Sequence, residues 1–304
     1  MEITASMVKE LRESTGAGMM DCKKALVEAD GDMAAAIDVL RTKGLADLAK
    51  KAGRATNEGV VGGVTSSDGR AGALVEVNCE TDFVARNANF KDLVTELATQ
   101  VLDGSASDVE GLMAQQFGPR PEITVEQRLG EAVSKLGENM GVARFVRFGV
   151  TTDAGCVAVY IHGVGNIGVL VEASAGTPEA AASAVVAGFA KDVAMQVAAA
   201  APISVRREDV PAEIVEHERT IYKAQAAETG KPEPIQEKIA EGRLDKFYKE
   251  FCLLEQAFVK NPDVTVKQYA EQVSKEAGAA VDIVRFARVV LGETNPDGKS
   301  GGSC

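Results

Sequence analysis

The sequence predicts an α+β protein with an N-terminal three-helix bundle, two related core subdomains of antiparallel sheet and helix, and an inserted antiparallel helical hairpin. Three observations predict it. Apolar spacing switches from helical to alternating at Glu58. A strand-strand-helix block recurs: Gly72-Ala73-Leu74-Val75-Glu76 is echoed by Gly168-Val169-Leu170-Val171-Glu172, and Phe90-Lys91-Asp92-Leu93-Val94 by Phe189-Ala190-Lys191-Asp192-Val193. A charged helical stretch, Glu208 to Glu228, is broken by Thr229-Gly230-Lys231-Pro232 and followed by a second helical pattern.

The bundle comes first. Val8 and Leu11 mark one helix, and Thr15-Gly16-Ala17-Gly18 interrupts it. Met19, Met20, Cys22, Ala25 and Leu26 fill the second. Gly31 suits a C-cap and Asp32 an N-cap. Ile37, Val39 and Leu40 carry the third helix, which is expected to end at Gly44. The basic stretch Lys50 to Asn57 reads as a linker.

Val60, Val61 and Val64 then lead into Asp68-Gly69, a hairpin signal, and Ala73 to Cys79 returns. Phe90, Leu93, Val94, Leu97 and Val101 share one helix face. A further helix is expected from Val125 to Met140, with Leu129, Val133 and Leu136 on one side. The second copy is expected to open with a hairpin of Val146 to Thr152 and Cys156 to His162. Ile214, His217, Ile221 and Ala224 form the stripe of the first hairpin helix. Leu244, Phe247, Tyr248, Phe251, Leu254 and Phe258 follow at near-helical spacing. A helix (Val266 to Glu276) and a strand (Val281 to Leu291) return to the core. The resulting division is residues 1–46 for the bundle, 47–57 for the linker and 58–140 for the first subdomain. Residues 141–207 and 251–292 form the second subdomain, 208–250 the hairpin, and 293–304 a Gly/Ser-rich tail expected to be disordered.

Composition narrows the function. The 304 residues carry a formal net charge of -12, against the basic face that phosphate-backbone binding needs, so neither nucleic acid nor an anionic membrane is an expected partner. Five scattered cysteines without C-x-x-C read as free thiols in a reducing, cytoplasmic compartment. No signal peptide or ~20-residue apolar span is present in the sequence. With two histidines, an imidazole-based catalytic or metal cluster is disfavoured by count. No metal or cofactor is expected.

Gly163-Val164-Gly165-Asn166-Ile167-Gly168 formally matches a dinucleotide fingerprint, but a strand follows it where a helix should, so it reads as a hairpin turn. His162, beside it, is either a turn residue or a partner contact. Cys79 lacks a sequence-local base and reads as a small buried hydrophobe. Thr81-Asp82-Phe83-Val84 sits where a buried strand leaves the sheet, a common place for binding residues. Thr81 or Asp82 can cap a helical turn there. Phe83 is open between two readings: a core side chain, or an exposed anchor beside a carboxylate among the polar Asn87 and Asn89.

Two long motifs go further. Leu11-Arg12-Glu13-Ser14-Thr15-Gly16-Ala17-Gly18-Met19-Met20-Asp21-Cys22-Lys23-Lys24-Ala25-Leu26 and Glu76-Val77-Asn78-Cys79-Glu80-Thr81-Asp82-Phe83-Val84-Ala85 resemble the two signatures of the bacterial elongation factor Ts family. His162-Gly163, Ile167 to Val171, Gly230-Lys231-Pro232 and Glu241 to Leu244 match in the same order. The resemblance implies a non-enzymatic guanine-nucleotide exchange factor for elongation factor Tu, in its GDP-bound and nucleotide-free forms. It implies that the bundle resembles ubiquitin-associated domains and that the helical hairpin is a coiled coil. It implies that Thr81, Asp82, Phe83 and Val84 enter the partner's G domain and disturb its Mg²⁺ site. It implies that the bundle, through Leu11, Arg12, Thr15, Gly16, Gly18, Met19 and Met20, also docks on the G domain, and that His162 and Gly163 meet the partner's third domain. The chain is expected to lack the C-terminal helical module of some members, and the loop Val164-Gly165-Asn166 departs from the family pattern. The hairpin serves either homodimerisation or partner contact. The alternatives are an enzyme using Cys79 and Asp82, and an RNA- or ribosome-binding module using Lys50 to Arg54.

Overall fold

The structure, a computed structural model, describes residues 3–293; the expected tail lies outside the described residues from 294 onward. The bundle comprises α1 (Ala5–Thr15), α2 (Met19–Glu28) and α3 (Met33–Lys51). Thr4 caps α1, left-handed Gly16 ends it, and Asp32 caps α3 through a 2.9 Å bond from the Ala35 amide. Val8, Leu11, Cys22, Ala25, Leu26 and Ala36 form its small core. Two expectations change here. Met19 and Met20 do not fill the core but face solvent. The helix expected to stop at Gly44 runs on to Lys51, because Gly44 serves a close helix crossing and not a left-handed cap.

The first core unit runs β1 (Glu58–Thr65), β2 (Ala71–Cys79), α4 (Asp82–Arg86), α5 (Ala88–Asp103), α6 (Val109–Ala114), β3 (Gln116–Phe117), β4 (Arg120–Thr124), α7 (Val125–Leu136) and β5 (Met140–Gly149). The second runs β6 (Gly155–His162), β7 (Ile167–Ala175), α8 (Pro178–Ala181) and α9 (Ala184–Ala200). After the hairpin it resumes with β8 (Ala257–Phe258), β9 (Asn261–Thr265), α12 (Val266–Ala277) and β10 (Val281–Val290). The sheets are antiparallel, ordered β1-β2-β5 and β10-β7-β6. The repeat is therefore longer than the sequence echo. Both units contain a two-stranded ribbon, a capping box (Thr124 with Gln127, Thr265 with Gln268) and a left-handed glycine cap, Gly137 or Gly278.

One strand pairing is corrected. Residues 146–149 do not form a hairpin with Cys156 to His162. They belong to β5, which pairs with β2 and closes the first sheet, while β6 pairs with β7. Alternation marks a strand but not its neighbour; here a four-residue glycine turn makes β6–β7 the local hairpin.

The sheets pack face to face through Val61, Leu74, Val157, Leu170, Phe148 and Val289. Helices α5 and α7 cover the outer face of one, and α9 and α12 that of the other. This helix-sheet-sheet-helix layering buries β2 on both faces. Each fully buried valine, leucine or phenylalanine contributes about 1.5–3 kcal/mol. Two buried glutamates cross-link the sheets. Glu76 pairs with Arg144 of its own sheet (2.8 Å) and accepts from the Gly292 amide just after β10 (2.9 Å). Glu172 pairs with Arg285 of its own sheet (2.6 Å) and accepts from the Thr151 hydroxyl just after β5 (2.7 Å).

The inserted hairpin is α10 (Ala212–Ala227) and α11 (Glu233–Phe251), joined through left-handed Gly230. Val210, Phe247 and Cys252 anchor its base. His217 is exposed, contrary to the expected packing; the facing stripe is Ile214, Val215 and Tyr222. Leu254 and Phe258 lie beyond α11, and Phe258 stacks on Tyr269 at 4.4 Å. Among the described residues, no helix is long and apolar enough to cross a membrane.

Candidate partner-binding site

The strand exit after β2 carries the most exposed aromatic described. Thr81 caps the five-residue α4, its hydroxyl accepting from the Val84 amide at 3.4 Å. Val84 and Ala85 turn inward to the first core, and their neighbour on the same turn, Phe83, points out with 83% of its surface exposed. Asp82 pairs along the helix with Arg86 at 3.2 Å. Phe83 is thus an exposed side chain and not a core one. An apolar ring held outward on a short, anchored turn, left uncovered among the described residues, suits a pocket in another molecule.

The same exit is fastened from below. The Thr81 amide and hydroxyl both donate to the Glu138 carboxylate, at 3.0 and 2.6 Å. Glu80 accepts from the Asn139 amide at 2.6 Å and pairs with Arg54 at 3.3 Å; these partners hold its carboxyl below the usual range. The Asn139 side-chain amide donates to the Arg54 carbonyl at 2.8 Å. Sequence reasoning missed Glu138 and Asn139. The only local signal was a Gly-Glu-Asn turn after α7, which carries no hint of a partner 57 residues away.

Of the bundle residues, Leu11 is fully buried and Thr15 spends its hydroxyl on the Leu11 carbonyl at 2.6 Å, so both shape the surface from behind. Arg12, Gly16, Gly18, Met19 and Met20 are exposed, the two methionines by 58% and 62%. Lys135 borders the groove beside Met19 and Met20 and donates to Asn89 at 2.9 Å, two residues past α4's cap Asn87. The bundle surface and the Phe83 tip therefore adjoin the same end of α7.

His162 ends β6, exposed, with its Nδ1 3.0 Å from the Tyr160 hydroxyl. Gly163 and Gly165 take positive φ in the turn after it. The Gly165 carbonyl accepts from the Val61 amide at 2.7 Å, and a Cβ on Gly165 would stand 2.5 Å from a Val60 methyl. The glycine motif is thus a strand turn seated on β1, three residues from the strand end that faces Cys79, or about 10 Å. No contact joins His162 to Phe83 among the described residues.

The residues behind the alternative readings are largely engaged within the fold. Cys79 is buried; burial and the nearby Glu138 and Glu58 push its thiol to about 12, and it donates to the Thr81 carbonyl. A neutral, sequestered thiol is a poor nucleophile. In the basic stretch, Lys51 donates to the Val133 carbonyl (3.1 Å) and Arg54 pairs with Glu80, so two of its three cations are engaged by the fold, while Lys50 is exposed. Among the described residues, no cluster of three or more His, Cys, Asp or Glu is placed to hold a metal.

Residues 80–293 match the family described as elongation factor Ts. Among similar proteins, one from Trichlorobacter lovleyi named elongation factor Ts is 51% identical over 96% of this chain and 94% of its own length. Proteins of the same name from Syntrophotalea carbinolica and Clostridium botulinum are 50% and 49% identical, over 96% of this chain and 94% and 93% of theirs.

Proposed function

The chain belongs to the elongation factor Ts family, and from that premise we propose that it is a guanine-nucleotide exchange factor for elongation factor Tu, working in the cytoplasm without covalent chemistry. The observation that carries this reading is Phe83, projecting from a braced five-residue helix and uncovered among the described residues.

The mechanism is one of coupled binding. A nucleotide held by Mg²⁺ and phosphate-binding backbone leaves slowly on its own. A factor that prefers the nucleotide-free partner weakens nucleotide binding by the same factor that nucleotide weakens its own. Phe83 acts as an apolar wedge in the partner's G domain, and Asp82 competes for polar contacts around the Mg²⁺ site. Thr81 and Val84 hold the turn that presents them. The Mg²⁺ and the nucleotide belong to the partner. The bundle adds affinity through Arg12, Gly16, Gly18, Met19 and Met20, and His162 with Gly163 provides a second, separate contact. The polar helical hairpin is left for partner contact or self-association.

The test is release of fluorescent GDP from elongation factor Tu. Substoichiometric amounts of this protein are expected to accelerate release severalfold without consuming nucleotide. No acceleration of GDP release at any concentration, together with no binding to nucleotide-free elongation factor Tu, would reject the reading.

A further inference from the structure

We infer that Glu138 is a positioning residue for nucleotide release, holding Phe83 in its projecting place before the partner arrives; the inference rests on the exchange reading above. Helix α4 has five residues, too few for a helix to persist by its own hydrogen bonds. Val84 and Ala85 anchor its inner face, but the ring it presents is uncovered. The orientation of Phe83 therefore depends on how the start of α4 is tied down.

That start is Thr81, and it is tied to another element. Both the amide and the hydroxyl of Thr81 donate to Glu138, in the turn between α7 and β5. The tie is reciprocal. The neighbouring Glu80 accepts from the amide of the neighbouring Asn139. Two adjacent residues at the strand exit thus exchange side-chain-to-backbone bonds with two adjacent residues of the turn. Charged acceptors make these the stronger class of hydrogen bond. Asn139 and Glu80 also hold Arg54, on the chain leaving the bundle, so one clasp sets the wedge against both core and linker.

Such a clasp acts by pre-organisation. It removes the ordering that Phe83 would otherwise undergo on binding. Its loss should lower the maximal rate of release at saturating factor, where the wedge acts, more than the concentration needed for half-saturation, which the exposed bundle surface governs.

The experiment is a double-mutant cycle on fluorescent-GDP release from elongation factor Tu, with concentration dependence measured for each protein. Glu138→Ala is expected to cut the maximal rate about tenfold, the scale of one charge-assisted hydrogen bond, with half-saturation moving less than about twofold. Glu138→Gln, which keeps one acceptor, should fall between. Thr81→Val, which removes the hydroxyl from the other side, should reproduce part of the loss. In a Phe83→Ala background, Glu138→Ala should add less than about twofold, because its effect passes through the ring. Equal losses in both backgrounds, or a rise in half-saturation with an unchanged maximal rate, would mean a general structural role and overturn the inference. A normal maximal rate for Glu138→Ala and Glu138→Gln would overturn it too, while leaving the exchange reading intact. Normal release with Phe83→Ala alone would remove Phe83 from the mechanism and overturn the inference, while leaving the exchange activity itself standing.

Discussion

Gly44 of α3 and Gly130 of α7 meet backbone to backbone: a Cβ on Gly130 would stand 2.8 Å from the Gly44 carbonyl carbon, and one on Gly44 would stand 3.1 Å from that of Gly130. Two helices cross with no side chain between them. This contact fastens the bundle to the first core unit, and so sets the spacing between the exposed methionines and Phe83.

Gly130→Ala should therefore destabilise. Alanine in a helix interior normally gains about 1 kcal/mol over glycine. Overpacking against backbone, which cannot swing aside, costs about 1–3 kcal/mol. The expected outcome in urea unfolding is a net loss of about 1 kcal/mol or more for Gly130→Ala and a smaller one for Gly44→Ala. Gly188 is the control, since a Cβ there meets nothing within 4 Å; Gly188→Ala should stabilise α9 by about 0.5–1 kcal/mol. Stabilisation by Gly130→Ala would disprove the tight crossing.

Legibility in the sequence tracks interaction range. The faces of α5 and α7, the Asp68-Gly69 turn and the Asp32 cap are local patterns, and each residue states its own preference. The strand exit was legible as a candidate site because a loop leaving a buried strand is a common place for binding residues, and the Thr81 cap beside it is itself a local pattern. Phe83 was not settled by its neighbours, since exposure depends on what else packs there. Gly44 looked like a helix stop because a glycine's local and long-range uses look alike in a sequence. The pairing of β5 with β2, the sheet-on-sheet packing and the Thr81–Glu138 bond all join distant residues. Periodicity carries no information about such partners.

Acid should loosen the seam between the sheets. Burial raises the Glu172 carboxyl, but hydrogen bonds from Thr151 and the pair with Arg285 outweigh it, leaving it below its ordinary value. A carboxylate depressed in the folded state contributes stability that is complete above its unfolded value of about 4.3 and is lost as pH falls through the folded one. Glu172→Gln is expected to cost about 1–3 kcal/mol at pH 7, since it weakens a buried, charge-assisted network. The gap from wild type should narrow in unfolding measurements as pH falls from above about 4.3 through the lower folded value. A gap that is constant across that range would show that charge at Glu172 contributes nothing.

The four described cysteines should resist modification. Cys22, Cys79, Cys156 and Cys252 are free and buried, and burial raises the pKa of each. With Cys79 pushed to about 12, its thiolate fraction at pH 8 is about one in ten thousand. Iodoacetamide mapping by mass spectrometry should find these four labelled only in denaturant. Cys79→Ser should keep full stimulation of GDP release while losing some stability, since a hydroxyl is costlier to bury than a thiol. Rapid labelling of native Cys79, or loss of stimulation in a folded Cys79→Ser protein, would reopen the nucleophile reading.

Met19 and Met20 should govern affinity and leave the maximal rate alone. Their side chains lie outside the core that Val8, Leu11 and Leu26 fill, so replacing them leaves that core intact. Each is flexible and apolar, suited to mould to a partner surface. Covering both would contribute about 2–3 kcal/mol if each hides half of a side chain's worth of apolar area. Serine at both positions costs under about 1 kcal/mol of helix propensity, so the bundle should stay folded by circular dichroism. The half-saturating concentration in GDP release should then rise about tenfold or more, with the plateau at saturation unchanged. The wedge is intact in this variant, and only its delivery is weakened. A lowered plateau with unchanged half-saturation would reverse the assignment, placing the methionines in the release step and leaving the affinity to other surfaces.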